Sequence, residues 1–162
     1  MPEKFVVVGA SLAGLRAIEA ARRAGYAGDI TLIGAEPHLP YDRPPLSKAY
    51  LTDGALPDHL TDEDALRDVL GVELLLSTTA TSLDGDAHVV HTTTGPVGYD
   101  TLLLACGATA RTLPGLPDLE GIVTLRTLDH SVHSGMFRGA VPNAVMAVVR
   151  LLSSMHYVAG EV

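Results

Sequence analysis

Phe5-Val6-Val7-Val8-Gly9-Ala10-Ser11-Leu12-Ala13-Gly14 is the stretch whose reading decides the fold. Phe5 to Val8 is apolar, rich in β-branched side chains and without alternation, the pattern of a strand covered on both faces in a parallel sheet. Beyond Gly14, Leu15, Ile18, Ala21 and Arg22 recur at steps of three and four, which predicts a helix that Gly25 ends. Ile30-Thr31-Leu32-Ile33 predicts a second strand. Strand, helix and strand form one β-α-β unit, expected to have a right-handed crossover.

The turn between strand and helix fits the G-x-G-x-x-G pattern, with Ser11 in place of the middle glycine. Gly9 allows a tight turn off the strand, and Ser11 is small enough for backbone to approach a pyrophosphate. Gly14 allows close helix–strand packing, and the helix start across Leu12 and Ala13 offers free N–H groups to phosphates. Glu36 ends the second strand, about 20 residues further on, where a carboxylate can accept hydrogen bonds from both hydroxyls of a ribose. A 2′-phosphate would be repelled there, which favours an unmodified adenosine ribose.

Downstream, Pro37-His38-Leu39-Pro40-Tyr41-Asp42-Arg43-Pro44-Pro45-Leu46-Ser47-Lys48 holds four prolines. Pro44-Pro45 stiffens the approach to a short helix expected from Leu46 to about Leu51. A helix is expected from Asp62 to Leu70, stopped by Gly71, and a third strand at 72–76. Then 78–83, a turn at Asp84-Gly85-Asp86, 88–93 and a second turn at Gly95-Pro96 outline a small antiparallel meander. Asp100 to Ala108 predicts a last buried strand and its exit turn through Cys106 and Gly107.

The P-Y-x-R-P-P-L-S-K string, at Pro40 to Lys48, resembles the signature of the FAD-dependent ferredoxin, rubredoxin and putidaredoxin reductases, a family that includes apoptosis-inducing factor. The implied fold class is α/β: a Rossmann-like FAD-binding domain with a parallel sheet and a small antiparallel β-meander. The resemblance implies that Arg43 and Lys48 lie beside the flavin. Lys48 would stand near the N5 edge and act there as the one catalytic residue. It further implies that Ala80 offers its backbone to the adenine. Leu102-Leu103-Leu104-Ala105-Cys106-Gly107-Ala108 is similar to the family's L-x-x-A-T-G-A motif, with Cys106 at the threonine position. Cys106 and Gly107 would let the chain pass close to FAD, and Cys106 is expected to be buried. Arg111 and Arg126 match family arginines that contact the cofactor.

A net charge of −8 argues against nucleic acid or an anionic membrane as partner. No apolar run is long enough to span a bilayer, and no signal-peptide pattern opens the chain, so a cytoplasmic setting is expected. Cys106 is the single cysteine, which excludes dithiol–disulfide chemistry within these 162 residues. Seven histidines lack an accompanying ligand cluster, so no metal site is expected.

The resemblance runs from Phe5 to about Asp129, giving an expected FAD-binding segment over 1–129 and a divergent, helical tail over 130–162. In the family a second glycine fingerprint for NADH or NADPH follows, yet no glycine occurs between Gly139 and Gly160. Val141, Val145, Val148, Val149 and Leu152 instead trace a helical stripe. A natural variant tail, a truncation and a frameshift all remain open. On this reading the NAD-binding and carboxyl-terminal domains are absent. The leading expectation is the FAD-binding portion of an NAD(P)H-dependent reductase that passes electrons to a ferredoxin-like iron–sulfur protein, incomplete for turnover alone. The alternatives are a non-catalytic dinucleotide-binding module and, less favoured by the proline-rich segment and the meander, a plain dehydrogenase half-domain.

Overall fold

Among the described residues four parallel strands form the main sheet, and the Phe5–Val8 run lies inside it as expected. The computed structural model describes residues 3–109 and 126–128. The chain divides into two units, Met1–Thr109 and Ala110–Val162, and every element named below belongs to the first.

Strand β1 (Lys4–Val8) is followed by helix α1 (Leu12–Arg23) and strand β2 (Asp29–Ile33). A 3₁₀ turn (Pro44–Ser47), helix α2 (Ala49–Asp53) and a π-helical turn (Ala65–Val69) lead into β3 (Val72–Leu75). Then come β4 (Ala80–Asp84), β5 (Val89–Thr92), β6 (Gly95–Gly98) and β7 (Thr101–Leu104). The parallel sheet has the order β3-β2-β1-β7, and β4-β5-β6 form a separate antiparallel sheet. Val8 pairs with Ile33 on one side and Leu104 on the other, so the ends of three strands meet beside Gly9.

Strand periodicity divides the core between the two faces of the sheet. Val7, Ile30 and Leu32 join Leu15 and Ile18 of α1 and Leu66 of the π turn. Val6, Val8 and Ile33 instead pack with Val90 of the meander. Thr31 is buried within β2, where its Oγ1 donates to Glu73 Oε2 at 2.8 Å.

Four local readings need correction. The helix expected from Leu46 to Leu51 is two pieces, because Lys48 takes φ −130°, ψ −107° between the 3₁₀ turn and α2. The prolines that start the first piece also favour a tight turn over a regular helix. Gly95-Pro96 is not the second meander turn. Both residues belong to β6, and Thr93-Thr94 make the turn. Pro96 is tolerated because β6 is an edge strand. Among the described residues β7 is an edge strand rather than a strand buried on both sides, and Leu104 is 59% exposed. Cys106, just beyond it, is exposed rather than buried.

Candidate functional site

At the carboxyl end of β1 the chain is crowded in a way only glycine permits. Gly9 has φ +123°, and a Cβ there would stand 2.2 Å from the carbonyl oxygen of Ala105. A Cβ on Gly14 would stand 2.2 Å from the Gly9 carbonyl oxygen and 3.2 Å from Val7 Cγ1. The glycine spacing therefore fits two close approaches, of the turn to the β7 exit and of α1 to β1. The Gly9 N–H donates to Ile33 O at 2.8 Å, and the Ala105 N–H donates to Val8 O at 2.7 Å. Neighbouring strands thus clamp the loop from both sides.

Ser11, in extended conformation, precedes α1, and its carbonyl accepts the first helical bond from the Leu15 N–H at 3.0 Å. Leu12 and Ala13 are exposed at the first turn. N–H groups in a first turn have no partner within their helix, and the aligned peptide dipoles add partial positive charge. That end of α1 suits an anion.

Glu36 is held from below by the turn after β3. The Ser77 N–H donates to the Glu36 carbonyl at 3.1 Å, and the Thr78 N–H donates to Gly34 O at 2.8 Å. Its carboxylate is engaged at both oxygens. Arg43 Nη2 donates to Oε1 at 2.7 Å, and the Tyr41 hydroxyl donates to Oε2 at 2.7 Å. Arg43 Nε also donates to Ser11 Oγ at 3.3 Å, so a cation spans the space from the glycine loop to the acid. The guanidinium lies over the Tyr41 ring, 5.2 Å from its centroid. Gly9, Ser11, Gly14, Glu36 and Arg43, far apart in sequence, converge on one corner of the sheet.

Tyr41 joins this network although its position in the sequence does not point to it. It was visible only as a letter in the proline-framed string, and nothing in its spacing ties it to Glu36. Its placement comes from Asp58 to Leu60, a segment without a motif. The Asp42 N–H donates to Asp58 O at 3.0 Å, the Leu60 N–H donates to Pro40 O at 2.7 Å, and Tyr41 bridges antiparallel to His59.

The remaining candidates divide. Ala80 and Cys106 line a cleft of about 190 Å³ together with Val8, Thr81, Val90 and Leu104. Cys106 Sγ lies 3.8 Å from the carbonyl of Val8. Gly107 has φ +69° in the exit turn. Lys48 is exposed at the junction of the 3₁₀ turn and α2, outside the Glu36 network. Arg111 and the expected tail lie outside the described residues, and half-buried Arg126 belongs to the second unit. Among the described residues no group of three or more His, Cys, Asp or Glu could hold a metal, and no helix is long and apolar enough to cross a membrane.

Chemically, the corner offers helix-terminal donors and a guanidinium for a diphosphate, and a carboxylate for the hydroxyls of a ribose. A family model described as pyridine nucleotide-disulphide oxidoreductase matches residues 3–146. The chain is 39% identical over 132 residues to the benzene 1,2-dioxygenase system ferredoxin–NAD(+) reductase subunit of Pseudomonas putida, covering 78% of this chain and 32% of that protein. It is 42% identical over 130 residues to the 3-phenylpropionate/cinnamic acid dioxygenase ferredoxin–NAD(+) reductase component of Photorhabdus laumondii, covering 78% and 33%. Among solved structures, a ferredoxin reductase of Rhodopseudomonas palustris superposes with a TM-score of 0.73 at 36% identity, covering 83% of this chain and 34% of that one. The chain thus spans about a third of the length of the relatives it matches. With the family model matched over most of its length, the chain belongs to the pyridine nucleotide-disulphide oxidoreductase family.

Proposed function

We propose that this chain is the FAD-binding portion of an NAD(P)H-dependent ferredoxin-type reductase. In this reading hydride passes from NAD(P)H to FAD, and electrons then leave to a ferredoxin-like iron–sulfur protein, in a cytoplasmic setting. The observation that carries it is the convergence of the Gly9–Gly14 loop, Glu36 and Arg43 at one sheet corner, in a chain whose relatives are named ferredoxin–NAD(+) reductases. The glycine cradle supports the fit, because a Cβ at Gly9 or Gly14 would meet backbone.

Each residue then has a task. First-turn N–H groups of α1 and the Arg43 guanidinium bind the diphosphate, with Ser11, Leu12 and Ala13 leaving room for it. Glu36 takes the adenosine ribose hydroxyls, and Ala80 offers backbone to the adenine at the cleft it shares with Cys106. Cys106 and Gly107 keep the exit of β7 slim beside the cofactor, and Arg111 and Arg126 add positive charge. Lys48 orients the flavin edge and stabilises negative charge there. FAD, when bound, supplies the exchange between two-electron and one-electron transfer. In the domain division we infer, residues 1–129 serve this binding role and 130–162 are a divergent tail.

A second reading, a dinucleotide-binding module without turnover, is favoured by the stretch from Ala140 to Ala159, which contains no glycine for a second fingerprint turn. Titrating FAD and ADP-ribose into the purified chain, with protein fluorescence and flavin absorbance as readouts, tests what both readings share. We expect both ligands to compete for one site. Failure of both to bind would overturn the function.

A further inference from the structure

We propose that Tyr41 is a positioning residue that keeps Glu36 available to the adenosine ribose. The inference rests on the dinucleotide reading above. Tyr41 is 3% exposed, so its ring is fixed by packing, and its backbone is pinned by the bridge to His59. Its hydroxyl donates to Glu36 Oε2 at 2.7 Å while Arg43 Nη2 holds Oε1 at the same distance. The Arg43 guanidinium also lies over the Tyr41 ring, and the His38 ring meets that ring edge-on at 6.2 Å. Tyr41, Glu36 and Arg43 therefore form a closed triangle in which each member fixes the other two.

The triangle has a specific chemical use. An arginine beside a carboxylate tends to take both oxygens in a bidentate fork. The Tyr41 hydroxyl occupies Oε2 and so competes with such a fork, while Arg43 Nε stays on Ser11 Oγ beside the anion site. A carboxylate has about four acceptor positions, so the Tyr41 and Arg43 bonds leave about two for a vicinal diol. Without the hydroxyl, Glu36 can rotate onto Arg43, withdrawing its acceptors from the ribose and drawing the guanidinium from the diphosphate.

The test uses the full chain and compares ADP with 2′-deoxy-ADP by isothermal titration in wild type, Tyr41→Phe, Glu36→Gln and the double variant. Wild type is expected to prefer ADP by about tenfold, the scale of one charge-assisted hydrogen bond. In Tyr41→Phe that ratio should fall towards one, chiefly through loss of ADP affinity, and the substitution should not alter the ratio further on the Glu36→Gln background. A purely structural role for Tyr41 would weaken both ligands equally and leave the ratio intact, which overturns the proposal. An unchanged ratio with unchanged affinities overturns it as well. If wild type binds neither nucleotide, the dinucleotide reading itself falls, and the proposal with it. Wild-type binding of ADP with no preference over 2′-deoxy-ADP overturns the ribose role alone.

Discussion

At the scale of single residues, Gly14 and Glu36 carry the sharpest predictions. Gly14→Val places a side chain where even a Cβ would be 2.2 Å from the Gly9 carbonyl oxygen. We expect this variant to lose thermal stability and FAD binding together, as read by melting and titration. Glu36→Ala leaves the hydroxyl of Tyr41 and the Arg43 guanidinium without their carboxylate. ADP-ribose affinity should drop by on the order of 1–3 kcal/mol, and the same titration measures it. Tyr26 gives a pH prediction. Burial, helped by the Glu3 carboxylate, raises its pKa above the ordinary 10.0, and its hydroxyl donates to Glu3 O at 2.7 Å. A raised folded-state pKa contributes stability that is complete below the unfolded value and lost as pH climbs through the folded one. Stability should therefore fall above about pH 10, and less steeply in Tyr26→Phe; equal slopes in alkaline denaturation series would contradict this.

At the scale of elements, burial decides which substitutions matter. Leu15 in α1 is fully buried against the sheet, whereas Val69 in the π turn is 80% exposed. Leu15→Ala should cost about 2–5 kcal/mol in urea unfolding, and Val69→Ala should stay within about 0.5 kcal/mol. The contrast also shows what the sequence made legible. β1, α1 and β2 could be read because hydrophobic run, helical spacing and glycine punctuation agreed over 30 residues. The meander strands are equally plain, but Gly95-Pro96 reads as a turn and forms strand instead, because such residues also suit an edge strand. The edge position of β7 depends on neighbours that local pattern does not encode. In the site, Gly9, Ser11, Gly14 and Glu36 follow from spacing. The Tyr41–Glu36–Arg43 triangle depends on Asp58 to Leu60 folding back on Pro40 to Asp42, a pairing without a local signature.

At the scale of the whole molecule, the prediction concerns turnover. Hydride transfer needs its two centres held about 3–3.5 Å apart, and on the function proposed above the fingerprint turn at Gly9–Gly14 serves one dinucleotide. The 162-residue chain, reconstituted with FAD, should therefore sustain no NADH or NADPH oxidation. Absorbance at the nicotinamide band with an artificial acceptor checks this, and steady oxidation well above that of free FAD would refute it. The contact of Gly9 with Ala105 has a kinetic side too. β1 is completed by β7, a partner nearly a hundred residues later, through Val8 with Leu104 and the Ala105 N–H on Val8 O. At about 5–20 residues per second, the ribosome leaves Val6 to Val8 open on that side for roughly 5–20 s before the partner strand exists. The Gly9–Gly14 loop can take its final shape only after that wait, so a nascent chain stalled before Thr101 should expose a sticky apolar strand and call on chaperones.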